Sequence, residues 1–249
     1  LGWEVYCPNW RGCSGEMQRG VKAYHVGFTE DLDLLVRKIA KTLDDPEARI
    51  FVGGFSLGAN IVAKFLAEVG ERATSPTYRL GGGAIFCVPF RPEILQPHLD
   101  ACTVPYSQHF ASTLRKKALA IHDRHPSAPF SPQKIKEAKY LGDIDEHFIA
   151  RVYDYESKEH YYRDNCAVKP LSDVAVPLLV VNADDDPLIP KHVFPTAEEV
   201  GNSNVRLELV EGGGHCGFIE GVAGEGYMAE QTAAFFGFVA AGGEGAGEG

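Results

Sequence analysis

A serine stands at a sharp turn between a predicted strand and a predicted helix. The apolar run at residues 50–52 is typical of a buried strand, and from Leu57 onward apolar residues recur at helix spacing. Residues 54–58 read Gly-Phe-Ser-Leu-Gly, which is a G-x-S-x-G sequence in the strand–turn–helix context that this motif requires. Because such a turn exposes the hydroxyl, we predict that Ser56 is a nucleophile.

The two glycines of this motif are expected to serve the turn. Side chains two positions before and two positions after the serine would collide with the neighbouring chain, which favours glycine at Gly54 and Gly58. The helix that follows presents free N–H groups and the positive end of its dipole. We therefore expect the N–H of Leu57 to donate to an oxyanion.

Candidates for a base and an acid follow the next two predicted strands. One strand, residues 176–182, precedes three consecutive aspartates, and the next, residues 205–210, precedes a glycine-rich loop that contains His215. In open α/β sheets, sites form where the carboxyl ends of the strands meet their loops. The chain order is Ser, Asp, His, which is the order expected of α/β-hydrolases.

The histidine and one aspartate have complementary chemistry. Imidazole has a suitable pKa to accept a serine proton, and a carboxylate fixes its tautomer and stabilises its charged form. We predict His215 as the base and Asp186 as the acid. Asp185 is the next candidate for the acid, and Glu93, which follows the preceding strand, is another. Otherwise, consecutive aspartates are typical of a solvated turn, and a lone histidine in such a loop is usually exposed.

The composition is that of an ordinary globular protein. The chain has 249 residues, of which 45% are hydrophobic and 23% charged. Its net charge of -10 makes nucleic acid an unexpected partner. The six cysteines show neither a C-x-x-C pair nor zinc spacing, so free thiols in a reducing compartment are expected. His122 and His125 lack further ligands nearby in sequence, and we expect no metal site.

Strands alternating with helices predict an α/β fold with a mainly parallel sheet covered by helices on both faces. We expect a core over residues 1–89 and 175–241, an inserted helical cap over 90–174 and a disordered tail over 242–249. Thr29 is a predicted N-cap. Further predicted elements are strands at Trp3–Cys7 and Leu80–Val88, and helices at Phe110–Ile121, Asp143–Tyr153 and Tyr227–Val239.

The predicted cap is rich in aromatic residues. They would line an apolar acyl pocket or, alternatively, pack the interior of the cap. These residues are Phe90, Tyr106, Phe110, Phe130, Tyr140, Phe148 and Tyr153.

Several segments resemble the α/β-hydrolase superfamily and, more closely, the AB hydrolase 4 family of YheT-like and embryogenesis-associated hydrolases. These segments are residues 10–16 (Trp-Arg-Gly-Cys-Ser-Gly-Glu), 54–60, 161–166, 183–187 and 213–218. The first is the most particular to this group. The resemblance implies Ser56 as nucleophile, Asp186 as acid and His215 as base. It also implies no cofactor and carboxylesterase, lipase or acyltransferase activity on lipid-like esters.

One expected family feature does not match. Relatives carry an earlier strand that ends in a His-Gly loop, whose backbone helps to form the oxyanion hole. In the superfamily that strand lies between the 3–7 strand and the nucleophile strand. Because the chain also begins without an initiator methionine, we expect an N-terminally truncated fragment that lacks the first strands of the fold. Any membrane association would then come from a preceding segment. Oligomeric state and localisation stay open, with a cytoplasmic or organellar location favoured.

Three functions follow from these residues. The first is a serine hydrolase that cleaves small-molecule esters or lipids through an acyl-enzyme. The second is an acyltransferase that passes the acyl group to an alcohol with the same residues, and nothing in the sequence separates the two. The third is a non-catalytic binding module on a hydrolase scaffold, because a fold alone does not prove activity. Dehalogenase or epoxide hydrolase chemistry is disfavoured because it needs a carboxylate at position 56.

Overall fold

The computed structural model describes residues 2–220 and 225–243. The strands are β1 (Ile50–Phe55), β2 (Leu80–Phe86), β3 (Leu178–Ala183), β4 (Val205–Val210), β5 (Ile219–Glu220) and β6 (Glu225–Gly226). The helices are α1 (Glu30–Ala40), α2 (Leu57–Val69), α3 (Pro92–Ala101), α4 (Tyr106–Arg124), α5 (Pro132–Glu137), α6 (Leu141–Ile144), α7 (Ala150–Val152), α8 (Lys158–Asn165), α9 (Ala197–Val200) and α10 (Tyr227–Ala240). Residues 145–149, between α6 and α7, form one π-helical turn.

The described chain divides into two compact units. The sheet unit consists of residues 26–98, 162–220 and 225–243, and the helical unit consists of residues 2–25 and 99–161. The predicted cap insertion, 90–174, overlaps the second segment of the helical unit but has other bounds. Those bounds, like the core segments 1–89 and 175–241, stay a prediction. Most of the predicted tail, residues 244–249, lies outside the described residues.

Strands β1 to β4 form one parallel sheet in the order β1-β2-β3-β4. In a parallel sheet the carboxyl ends of all strands lie at the same edge. Ser56 follows β1, the three aspartates begin after β3, and the His215 loop follows β4. The topology therefore brings the candidate site residues to one edge of the sheet unit.

Helices cover both faces of this sheet. Ile85 and Val180 belong to one buried cluster, which also contains Leu66 of α2. Their chain neighbours Phe86 and Val181 belong to a second buried cluster, which contains residues of α10. Because alternate side chains of a strand point to opposite faces, β2 and β3 are buried on both faces, and they carry glycine or apolar residues at every position except Asn182. The α/β prediction, with a parallel sheet covered on both faces, is confirmed.

Most predicted elements are present, with shifts of a few residues at their ends. The strand predicted at 205–210 is β4, and the helix predicted at 227–239 ends one residue later, in α10. The helix predicted after Thr29 is α1, but the side chain of Thr29 does not cap it. Instead, its hydroxyl donates to a carboxylate oxygen of Glu68 at 2.6 Å.

The predicted first strand, Trp3–Cys7, is wrong, because residues 2–10 contain no strand. Val5 is 76% exposed and Trp3 is 42% exposed. An alternating apolar pattern is not sufficient for a strand, since pairing with a neighbour and burial of one face supply most of the stability. In the described structure, residues 3–7 neither pair with another strand nor bury one face.

The helical unit has its own apolar interior. Phe130 and Phe148 are buried and pack edge to face, with ring centroids 5.0 Å apart. Phe90 is buried in the core of the sheet unit. An open cavity of the helical unit is lined by Phe130 together with Lys134, His147 and Arg151, among others. For these three phenylalanines, packing therefore describes the structure better than an apolar acyl pocket does.

No helix of the described residues has both the length and the apolar character that crossing a membrane requires.

Candidate active site

Ser56 lies between the end of β1 and the start of α2 in a strained backbone conformation. Its φ is 53°, in the left-handed region that a residue with a side chain adopts rarely. Such a conformation costs about 1–3 kcal/mol and persists only where the surroundings fix it. Here the N–H of Ser56 donates to the carbonyl oxygen of Phe86 at 2.9 Å, and its own carbonyl accepts from Ala59 at 2.9 Å. The turn is thus held from both sides.

The two glycines of the motif have different surroundings. A Cβ at Gly54 would lie 2.6 Å from the carbonyl oxygen of Gly58 and 2.9 Å from the nitrogen of Ala59, so only glycine fits there. A Cβ at Gly58 would meet no described atom within 4 Å outside its own helix backbone and chain neighbours. The prediction that Gly58 avoids a collision is therefore wrong. Gly54 needs to be glycine because the backbone of Gly58 lies against it.

Leu57 is the first residue of α2. The first N–H groups of a helix have no acceptor one turn earlier in the helix, and they lie at the positive end of its dipole. The N–H of Leu57 directly follows the serine in the chain. Its assignment as an oxyanion donor stays a prediction.

The imidazole of His215 joins the serine to a carboxylate. Nε2 of His215 lies 2.9 Å from Oγ of Ser56, and Nδ1 lies 2.8 Å from Oδ2 of Asp186. A carboxylate only accepts hydrogen bonds, so Nδ1 carries the proton and Nε2 keeps a lone pair for the serine hydroxyl. The three predicted residues therefore form one hydrogen-bonded chain.

Of the three candidate acids, Asp186 is the one whose carboxylate bonds to His215. Its side chain is 0% exposed. Its second oxygen, Oδ1, accepts from the N–H groups of Leu188 at 2.8 Å and Ile189 at 3.0 Å. Glu93 is exposed on α3. One oxygen of Asp186 is thus held by backbone N–H groups of its own loop, while the other bonds to the imidazole.

The environment of His215 favours its protonated form. Burial of the imidazole lowers the pKa of His215, but the hydrogen bond to Asp186 and the charge of that carboxylate act in the opposite direction and outweigh burial. The net result is a pKa above the ordinary histidine value. Such a histidine is a better proton acceptor than free imidazole, and it is protonated at a higher pH.

The two aspartates before Asp186 hold the loop of His215, a role that the sequence interpretation missed. Oδ1 of Asp184 accepts from the N–H of Gly212 at 3.0 Å, and Oδ1 of Asp185 accepts from the N–H of Gly214 at 2.8 Å. The solvated-turn interpretation therefore describes neither residue fully. The only sequence signal was the pairing of three acidic residues after one strand with three glycines after the next.

Two cysteines beside His215 were also missed. The N–H of Cys216 donates to the sulfur of Cys87 at 3.2 Å. A hydrogen bond from the Cys87 thiol lowers the pKa of Cys216 more than partial burial raises it, and the charge of His215 lowers it further. The same thiol hydrogen bond, together with burial, raises the pKa of Cys87. The two residues lie 129 positions apart in the chain, so spacing rules could not pair them.

A comparison with known families identifies the chain. The sequence profile described as "Alpha/beta hydrolase family" matches residues 1–225. The chain belongs to the alpha/beta hydrolase family. The turn at Ser56 and the loops after β3 and β4 are thus parts of a hydrolase fold.

Curated relatives of this hydrolase carry esterase and lipase names. The chain is 30% identical over 223 residues to YheT of Escherichia coli (strain K12), named as a candidate esterase, with 88% of this chain and 63% of that protein covered. It is 27% identical over 225 residues to mouse phospholipase ABHD3, with 89% and 53% covered. It is 28% identical over 218 residues to mouse monoacylglycerol lipase ABHD2, with 80% and 49% covered.

These relatives confirm the resemblance to the AB hydrolase 4 family. The hydrolase chain spans between about half and 63% of the length of the three relatives just named.

Proposed function

We propose that this alpha/beta hydrolase cleaves carboxylic esters through an acyl-enzyme formed on Ser56. The observation that carries the proposal is the continuous hydrogen-bonded chain from Asp186 through His215 to the serine hydroxyl, with heavy-atom distances of 2.8 and 2.9 Å. Both distances lie within the range that proton transfer by a positioned base requires. In this proposal Ser56 is the nucleophile, His215 the base and Asp186 the acid.

In the first half of the reaction, Oγ of Ser56 attacks the acyl carbon while its proton passes to Nε2 of His215. The carbonyl oxygen becomes an oxyanion, and the N–H of Leu57 donates to it. The positive charge on the imidazolium is balanced by Asp186, which stays ionised. When the tetrahedral intermediate collapses, the bond to the alkoxy oxygen breaks and Nε2 returns the proton to the leaving alcohol.

In the second half, water takes the position of the alcohol. Nε2 of His215 accepts a proton from the water as its oxygen attacks the acyl carbon. Collapse of the second intermediate breaks the bond to Oγ of Ser56, releases the carboxylic acid and returns the proton to the serine. Every step uses side chains or backbone groups of this chain, and no cofactor enters the sequence of steps.

We propose short- or medium-chain acyl esters or lipid esters as the substrate class. The names of the relatives support this choice, since one is a phospholipase and another a monoacylglycerol lipase. Phe55, the residue before the nucleophile, is 52% exposed, and its apolar ring would also suit an acyl chain.

A fluorophosphonate probe tests the proposal directly. It reacts covalently with an activated serine, so the full chain should be labelled and the Ser56→Ala variant should not. Ser203→Ala, which removes an exposed serine of the same unit, is the matched control and should be labelled like the parent protein. A folded parent protein that takes up no label would contradict the proposal and favour the binding module.

Product analysis separates hydrolysis from acyl transfer. The enzyme is given an ester substrate in buffer with added ethanol, and the products are measured by chromatography. Free carboxylic acid as the main product supports the hydrolase. If the ethyl ester is the main product, the protein is instead an acyltransferase that uses the same three residues.

A further inference from the structure

Two thiols and the imidazole of His215 form a cluster at the carboxyl edge of the sheet. Cys87 directly follows β2, and Cys216 directly follows His215 in the loop after β4. One ligand atom from each of the three residues lies within 4.8 Å of the other two. Cys87 is buried, whereas His215 and Cys216 are half-buried, so the cluster is open to solvent on one side.

The backbone around the cluster is fixed. Val88 exchanges two hydrogen bonds with the side chain of Asn182, which is buried at the end of β3: its N–H donates at 2.9 Å, and its carbonyl accepts at 3.3 Å. Cys87 and Cys216 have φ values of 53° and 60°, a conformation that non-glycine residues rarely adopt. Strain of this kind is kept where the surroundings over-determine it, often at functional sites.

The ligand types fit a borderline-soft divalent cation. Zn²⁺ in proteins prefers thiolate sulfur and imidazole nitrogen, at about 2.3 Å and about 2.0–2.1 Å, in a tetrahedron. Those bond lengths place neighbouring ligand atoms about 3.6–3.8 Å apart. The present separations, all within 4.8 Å, therefore need adjustments of about 1 Å or less at each ligand. Three protein ligands with an open fourth position are a common zinc arrangement.

We propose that Cys87, Cys216 and His215 bind one Zn²⁺ ion and that the bound ion switches the hydrolase off reversibly. On binding, the two thiols release their protons to solvent and their sulfurs coordinate the metal. Each ring nitrogen of His215 already has a partner in the hydrogen-bonded chain. Coordination by either nitrogen therefore breaks the contact to Asp186 or the contact to Ser56.

The inhibition rests on the proposed ester hydrolysis, whereas the binding itself does not. The binding test therefore uses Co²⁺ in place of Zn²⁺, because cobalt–thiolate bonds give a strong near-ultraviolet charge-transfer absorption. The full chain, kept reduced with a phosphine, is titrated with Co²⁺, and Zn²⁺ is then added in competition. We expect one metal per chain and a charge-transfer band that Zn²⁺ removes.

Replacement of single cysteines by serine shows which of them bind the metal. Cys216→Ser should weaken Co²⁺ and Zn²⁺ binding about 10-fold or more and reduce the charge-transfer band. Cys166→Ser, at a half-buried cysteine of the same unit, is the matched control and should bind both metals like the parent. Cys87→Ser should act like Cys216→Ser, with circular dichroism to show that the buried site still folds. Parent-like metal binding in a folded Cys87→Ser or in Cys216→Ser would overturn the proposal.

Fluorophosphonate labelling then tests the inhibition. Zn²⁺ should slow labelling of the parent protein, a chelator should restore it, and the Zn²⁺ concentration for half-inhibition should rise about 10-fold or more in Cys216→Ser. Equal inhibition of the parent and Cys216→Ser would show that zinc acts elsewhere and would overturn the switch. If the parent protein takes up no label even without zinc, the proposed function fails, and the cobalt spectrum still decides whether the site exists.

Discussion

The turn that holds Ser56 and the loop that holds His215 are fixed in different ways. The turn is fixed by the backbone itself: a strand enters, a helix leaves, and Gly54 lies too close to Gly58 for any side chain. The loop of His215 lies between β4 and the two-residue strand β5 and has positive φ values at Gly212, Gly213 and Gly214, among others. Its position depends on side chains from another loop.

Asp184 and Asp185 supply that support. Each accepts a hydrogen bond from a backbone N–H of the loop, while Asp186 bonds to the imidazole itself. Steric exclusion thus positions the nucleophile, whereas carboxylates position the base. Substitutions in the first region should therefore act through packing, and those in the second through hydrogen bonds and charge.

The largest effect is expected at the carboxylate that bonds to the imidazole. Asp186→Asn keeps the size of the side chain but removes its charge and favours the wrong imidazole tautomer. We expect kcat to fall about 10⁴-fold with the fold intact, by analogy with the same change in serine proteases. Kinetics on a chromogenic ester would measure this. Asp44→Asn, at an exposed aspartate, is the control, and a loss below 10-fold in Asp186→Asn would contradict the assigned acid.

A smaller effect is expected at the glycine before the serine. Gly54→Ala places a Cβ 2.6 Å from a backbone oxygen, which forces the turn to shift. A displacement of the nucleophile by about 1 Å can cost about 10²-fold in rate, and overpacking costs about 1–3 kcal/mol of stability.

Gly58→Ala is the matched control, because a Cβ there meets open space among the described residues. Activity and thermal unfolding should distinguish the two variants. If both behave alike, steric exclusion at Gly54 is not what fixes the turn.

Next in size is the loss of a tether of the His215 loop. Asp185→Ala removes the acceptor of the Gly214 N–H, which directly precedes the histidine. A hydrogen bond contributes about 1 kcal/mol net, so kcat/KM should fall about 5-fold. Asp184→Ala should have a smaller effect, because its partner Gly212 is three positions from His215 in the chain rather than next to it. An unchanged rate in Asp185→Ala would mean that the loop holds its position without the carboxylate.

The smallest change is a shift in pH dependence. The base must be neutral to accept the serine proton, and the pKa of His215 is raised, so kcat/KM should fall as the pH is lowered through a value above the ordinary 6.5. In Asp186→Asn the two contributions of the carboxylate that raise this pKa are lost, and only the charge of Cys216 still opposes burial, so the pKa should fall and the residual activity should persist to lower pH. A pH–rate profile of both proteins checks this. If activity in Asp186→Asn is lost at a higher pH than in the parent protein, the prediction is contradicted.

The sequence was most informative where periodicity and motif coincide. The G-x-S-x-G turn, the strands at 178–183 and 205–210 and the chain order of Ser56, Asp186 and His215 could be predicted, because strand and helix periodicity and the order of the three residues along the chain leave few arrangements. The sequence interpretation prefers Asp186 to Asp185 without the resemblance, the resemblance implies the same residue, and the 2.8 Å contact to His215 agrees with both.

Contacts between distant loops could not be predicted. The tethers from Asp184 and Asp185 end on backbone N–H groups, which have no signature in the sequence. The meeting of Cys87 and Cys216 depends on how the ends of two strands align in space. The failed strand at Trp3–Cys7 shows the converse, since a local pattern without burial does not determine structure.

Strand β1, which directly precedes Ser56, lies at one edge of the described sheet, with β2 as its neighbour. The N–H groups of Ile50 and Ser56 donate to carbonyls on the β2 side. Successive N–H groups of a strand point to opposite sides of it. In β1, the N–H groups of the even-numbered residues therefore point toward β2 and those of the odd-numbered residues point away from it.

This alternation gives β1 two rates of amide hydrogen exchange. Gly53 and Phe55 are exposed and point away from β2, so their amides should exchange quickly in heavy water. Val52 and Gly54 are buried and point toward β2, so theirs should exchange slowly, at a rate set by opening of the β1–β2 pair. The ratio of the two rates measures, residue by residue, how firmly the protein holds the strand that presents its serine.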